Sequence, residues 1–189
     1  GEATAVLAGN SLLTLAFEII SNRKNLLSAT QKIEIIRLLS HYSGHTGIAG
    51  GQELDLKFEN KRKKFYQIID MQRKKTGKLF NFCFQAVAVI ANKNEKIKFF
   101  LGNLGEEIGL LFQLSDDFLD IKGSKNIVGK PIKKDLKKGK STLINLIGYK
   151  KAIKYADNLE KKILLKLQKH GKNANELKKT IKFIQERNF

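Results

Sequence analysis

Gly109-Leu110-Leu111-Phe112-Gln113-Leu114-Ser115-Asp116-Asp117-Phe118-Leu119-Asp120-Ile121 lies inside the most apolar part of the chain and carries a polar stripe. A helix places residues i, i+3, i+4 and i+7 on one side. Gln113, Asp116, Asp117 and Asp120 fall on that spacing, so this stretch reads as a helix with acid on one face and hydrocarbon on the others. Three carboxylates do not share a partly buried face unaided, because burial and mutual repulsion both raise their pKa values. A stripe that stays ionised needs cations beside it. Hard divalent ions take oxygen ligands, and magnesium binds one or two carboxylates while giving its remaining positions to water and phosphate oxygens.

Working outward, the flanking sequence keeps a helical period. Gly102, Gly105 and Gly109 form a row of small residues that lets another helix approach, and the segment is expected to start at an Asn92/Glu95 cap and stop at Gly123. Upstream, Lys61 to Ala91 reads as one long helix, with Phe65, Ile68, Ile69, Gln72, Thr76, Leu79 and Phe80 on its period. Ser28 and Gln31 form a capping box ahead of Ile33, Ile36, Leu39 and Tyr42. Gly44, Gly47 and Gly51 read as another close-approach row. Glu2 to Ile20 reads as a buried helix. Downstream, Lys122 to Gly139 reads as a loop, and two helices follow, Thr142 to His170 and Asn173 to Arg187, the latter capped by Asn173 with Glu176. Alternating strand patterns are absent, so the fold class is all-α.

With 189 residues the chain makes one domain of ordinary size. It has no uninterrupted run of eighteen apolar residues and no basic leader before its first apolar segment, so a soluble, cytoplasmic protein without stable membrane insertion is expected. Its single cysteine, Cys83, excludes an internal disulfide. The net charge of +18 is carried almost wholly by lysine. Sequence-specific nucleic-acid readout favours arginine forks, so the reading is a solvated lysine surface. The alternative is a basic helical module binding nucleic acid or acidic partners without catalysis. His41 and His45 stand at i, i+4, but Tyr42 replaces the glutamate a metalloprotease helix requires.

Three further polar groups interrupt the helical pattern: Gly51-Gln52-Glu53-Leu54-Asp55-Leu56, Lys75-Thr76-Gly77-Lys78, and Gly129-Lys130-Pro131 with Asp135 to Thr142. A glycine inside a helix costs about 1 kcal/mol against alanine, so Gly77 implies close packing or a ligand. Acid on one wall with lysine opposite suits a diphosphate held through magnesium.

Taken in order, the opening Gly1-Glu2-Ala3-Thr4-Ala5-Val6-Leu7-Ala8-Gly9, the Gly51 to Leu56 string, Lys75-Thr76-Gly77, Phe112 to Asp120, and Gly129-Lys130 with Gly139-Lys140-Ser141-Thr142 resemble the trans-isoprenyl diphosphate synthases, the farnesyl and geranylgeranyl diphosphate synthase family. The resemblance covers essentially the whole chain. It implies an antiparallel helical bundle around a central cavity, usually a homodimer, that condenses an allylic diphosphate with isopentenyl diphosphate using three magnesium ions. It assigns Asp116, Asp117 and Asp120 to metal, Lys75, Lys130 and Lys140 to the allylic diphosphate, and Thr76 and Gln113 to the developing cation.

Asn10 stands where the family commonly carries aspartate. The family's first aspartate-rich motif, its arginines and an upstream Gly-Lys-Arg site have no counterpart in these residues. The chain is therefore expected to be the C-terminal part of a single prenyltransferase domain lacking the N-terminal helices, and to be inactive alone.

Overall fold

A computed structural model describes the backbone of residues 1–126 and 141–186, and the side chains of 1–121 and 141–186. Among the described residues there is no strand. The helices are α1 (Glu2–Ser21), α2 (Ala29–Ser43), α3 (Ile48–Phe58), α4 (Phe65–Gln72), α5 (Lys78–Ile90), α6 (Glu95–Asn126), α7 (Leu143–Ile147), α8 (Tyr149–Gln168) and α9 (Asn175–Glu186). A π-helical turn, Arg73–Gly77, joins α4 to α5, and a 3-10 turn, Gly171–Ala174, precedes α9.

Helix α6 is the axis of the molecule. It packs against α4, the π-turn, α5, α7, α8 and α9, as a helix apolar on several sides must. Leu104, Ile108, Leu110, Leu111, Leu114 and Phe118 are buried there with Ile68 and Met71 of α4, Ile163 of α8 and Ile181 of α9. Its close neighbour is α5, the two joined by the short link 91–94 and therefore antiparallel. The glycine row explains the closeness. A Cβ on Gly105 would lie 2.6 Å from the Phe80 carbonyl oxygen, and one on Gly102 would meet the Asn81 and Gln85 side chains. On the far side, Lys162 and Lys166 of α8 bond the Glu107 carboxylate at 2.9 and 2.6 Å. A smaller apolar cluster of Ile35, Leu38 and Val89 joins α2 to α5, with Ile20 of α1 against it.

Several sequence expectations are corrected. The helix read over Lys61–Ala91 begins at Phe65 and is interrupted by the π-turn. Asn94, not Asn92, caps α6, its Oδ1 accepting from the Ile97 N–H at 3.0 Å, while Asn92 takes a positive φ of 52° in the link. Helix α6 continues through Gly123 to Asn126. The segment read as one helix from Thr142 to His170 is two. Thr142 caps α7 by accepting from the Asn145 N–H, and Gly148, at φ 83°, turns the chain into α8. Helix α9 begins at Asn175, after the 3-10 turn. Gly44 and Gly47 lie in the turn after α2, so the glycine row there is not one helical face. His45 lies in the same turn, and the helical His41/His45 pair does not form.

The largest correction concerns α1. It forms, but no residue in it is buried, and Val6, Leu7, Leu12, Leu13, Leu15 and Ile19 are exposed. By length and composition α1 is also apolar enough to cross a membrane, although Glu2, Asn10 and Glu18 interrupt the run that the sequence reading looked for. Asn10 sits mid-helix and exposed, so it is not a cap.

Candidate active site

The acid stripe of α6 forms as its spacing requires. Leu114, Ser115 and Phe118 turn into the core, Gln113, Asp116 and Asp117 are half-buried, and Asp120 is exposed. Opposite Gln113 stands the π-turn. π-bulges widen a helix by one residue and often mark functional positions; this one is pressed from two sides by glycines. A Cβ on Gly51 of α3 would lie 2.2 Å from the Lys75 nitrogen, and one on Gly109 of α6 would lie 2.8 Å from the Gly77 Cα. Those distances are too short for any side chain, so three backbones meet at Lys75-Thr76-Gly77.

That approach assembles a chain of polar contacts. The Thr76 hydroxyl donates to Gln113 Oε1 at 2.7 Å. Gln113 Nε2 donates to Asp117 Oδ1 at 3.1 Å, and Gln72 Nε2, from the end of α4, donates to Asp117 Oδ2 at 2.8 Å. Lys75 Nζ reaches Asp55 Oδ2 on α3 at 2.5 Å, a partly buried ion pair. An ammonium has three donors, so the pair parks Lys75 at the site with two protons to spare. Behind the turn, Lys78 and Asn81 both donate to Glu106 Oε2, at 2.6 and 2.9 Å, and Gly77 packs on the Glu106 side chain.

Lys75, Thr76, Gln113 and Asp117 are thus brought together, with Asp116 and Asp120 beside them on α6. Lys130 and Lys140 lie outside the described residues. Gln52 of α3 is exposed. Sequence reasoning missed Gln72, counting it with the apolar stripe of its helix; a polar residue four before Thr76 in that stripe was the available signal. It noted Asp55 only within the Gly51 to Leu56 string and did not foresee its bond to Lys75.

Among the described residues no three His, Cys, Asp or Glu side chains converge as a ready-made metal cage. Magnesium takes one or two carboxylates and keeps waters and phosphate oxygens for the rest. The carboxylate-rich, partly open face of α6, which bears Asp116, Asp117 and Asp120, fits that demand.

Comparison with known proteins agrees with this geometry. Residues 1–184 match the family model described as polyprenyl synthetase. The chain is 40% identical over 147 residues to a farnesyl diphosphate synthase of Micrococcus luteus, covering 78% of this chain and 50% of that protein. It is 35% identical to the Escherichia coli farnesyl diphosphate synthase, covering 100% of this chain and 64% of that protein. A solved Helicobacter pylori geranyltransferase complexed with magnesium and isoprenyl diphosphate superposes with a TM-score of 0.81 at 31% identity, over 98% of this chain and 60% of that one. The chain therefore spans between about half and two thirds of the length of these relatives. α1 lies within the matched residues. An acid-striped central helix pressed by glycines onto a Lys-Thr-Gly turn, matched along nearly its whole length, places this chain in the polyprenyl synthetase family.

Proposed function

We propose that these residues form the C-terminal part of a single trans-prenyltransferase domain. In this reading the protein joins an allylic diphosphate to isopentenyl diphosphate. The allylic C–O bond breaks to release pyrophosphate, the isopentenyl double bond forms the new C–C bond, and a proton lost to the departing pyrophosphate leaves a product five carbons longer. The observation that carries it is the contact chain from Thr76 through Gln113 to Asp117, which sets a lysine-bearing turn against a magnesium-compatible acid face. Bound magnesium, three ions in the complete enzyme, would neutralise diphosphate charge and stabilise the departing pyrophosphate.

The residues supply the remainder. Asp116, Asp117 and Asp120 offer oxygens to the metal and its waters. Lys75 turns its spare donors to a phosphate oxygen, and Lys130 and Lys140 are proposed to do the same. The Thr76 oxygen and the Gln113 amide, fixed before substrate arrives, present dipoles to the positive charge that develops as the allylic C–O bond breaks. We also propose a cytoplasmic homodimer.

Since the candidate metal carboxylates among the described residues all belong to α6, we propose that the 189 residues alone give no turnover. The test uses the protein as its gene encodes it, with an allylic diphosphate, isopentenyl diphosphate and magnesium. Chelator-sensitive formation of a longer prenyl diphosphate is expected, and Asp116→Ala should reduce it at least a hundredfold, the scale of losing a preorganised charge-stabilising group. No product, together with no magnesium-dependent thermal stabilisation by pyrophosphate, would overturn the reading.

A further inference from the structure

We infer that Gln72 is a positioning residue that holds the Asp117 carboxylate in place for the metal–diphosphate site, an inference that rests on the function proposed above. Gln72 is 3% exposed, at the last position of α4 before the π-turn. It occupies the apolar stripe of its helix, beside Ile68, Ile69 and Met71, all buried. Its Oε1 is buried and finds no hydrogen-bond partner among the described residues. A buried carbonyl without a donor costs stability, and a methionine would fill the same volume without that cost.

What the glutamine supplies is its N–H, given to Asp117 Oδ2 at 2.8 Å. The other oxygen, Oδ1, takes its amide proton from Gln113 on α6 itself. Gln72 and Gln113 hold one oxygen each from two different helices, so the Gln72 bond resists rotation of the carboxylate that the Gln113 bond by itself would permit at Oδ2. The orientation of Gln113 is in turn set by Thr76, whose O–H donates to Oε1 and leaves Nε2 for Asp117. Gln72 and Gln113 are neutral donors, so neither of these two bonds cancels the negative charge of Asp117. Gln72 therefore acts through Asp117 and touches neither substrate nor metal, as outer-shell partners of metal-site carboxylates do.

The experiment is calorimetric titration of the natural full-length protein with inorganic pyrophosphate and magnesium, beside thermal melts without metal. Gln72→Met should melt no lower than wild type, because the orphan carbonyl is gone, yet bind magnesium pyrophosphate about tenfold more weakly, the scale of losing an outer-shell partner. Gln72→Glu, which keeps the shape but replaces the donor with an acceptor, should weaken binding at least as much. Combined with Asp117→Asn, the Gln72→Met effect should largely vanish, since residues acting as one unit are not additive. Wild-type affinity in either single variant, or full additivity in the double variant, overturns the inference. Absence of binding in wild type would instead remove the proposed function, and this inference with it.

Discussion

The Thr76 hydroxyl is the smallest group on which the site depends. It spends its proton on Gln113 Oε1, which fixes an amide that would otherwise choose between two orientations. Thr76→Val keeps the shape and removes the donor, leaving a part-buried carbonyl unpaired. The expected cost in stability is about 1 kcal/mol. The larger effect is expected in catalysis, with kcat falling more than KM rises, because the dipoles aimed at the developing charge lose their alignment. Steady-state kinetics beside a melting curve checks this; a change in KM alone would show Thr76 to be a binding contact. The sequence exposed Gln113 and the three aspartates through their spacing, and Thr76 through the glycine beside it and the family resemblance. It hid Gln72, whose polar nature in an apolar stripe gains meaning only when α6 is brought against it. It also hid the target of Gly51: a glycine announces a close neighbour, but that the neighbour is the Lys75 backbone is a fact of tertiary structure.

Between helices, the link from α6 to α8 is a charged one. Burial pushes the Glu107 carboxyl up, but the hydrogen bonds and charges of Lys166 and Lys162 together outweigh it and hold its pKa below the usual glutamate value of 4.5. A carboxyl with a lowered folded-state pKa contributes stability that is complete above its unfolded value and is lost as pH falls through the folded one. Wild type should therefore lose melting temperature as pH drops below 4.5, and Glu107→Gln should flatten that acid limb. At neutral pH the variant should cost about 1–2 kcal/mol, less than a fully buried pair, because Lys162 is largely exposed. Parallel acid limbs in the two proteins would sink the assignment. Element boundaries were the least legible feature of the sequence, for physical reasons. Gly123 does not stop α6, since the cost of one glycine is small beside the packing of a 32-residue helix on its neighbours. Gly148 does break the chain, because there the backbone takes φ 83°, a choice the apolar period around it concealed.

For the molecule as a whole, helical class and family were legible because both rest on periodicity and ordered motifs, while the exposure of α1 was not, because apolarity reports what a helix requires and not what covers it. At about 100° per residue, Leu12, Leu15 and Ile19 share one side of α1, and Val6 with Leu13 lies toward another. A helix apolar all round is normally a buried one, yet here Val6 is 64% and Leu12 67% exposed. Covering each such side chain is worth about 1.5–3 kcal/mol, enough to drive association. The 189-residue chain by itself should therefore bind an apolar dye and sediment as more than a monomer. If the proposed homodimer covers one side, lysines at Leu12 and Ile19 and lysines at Val6 and Leu13 should behave differently in the natural full-length protein. One double substitution should convert dimer to monomer, and the other should leave the dimer intact while disturbing the fold. Sedimentation with circular dichroism separates these outcomes. A dye-negative monomer from the 189 residues would mean that α1 is stable as an uncovered helix, and the argument for a partner on it would fail.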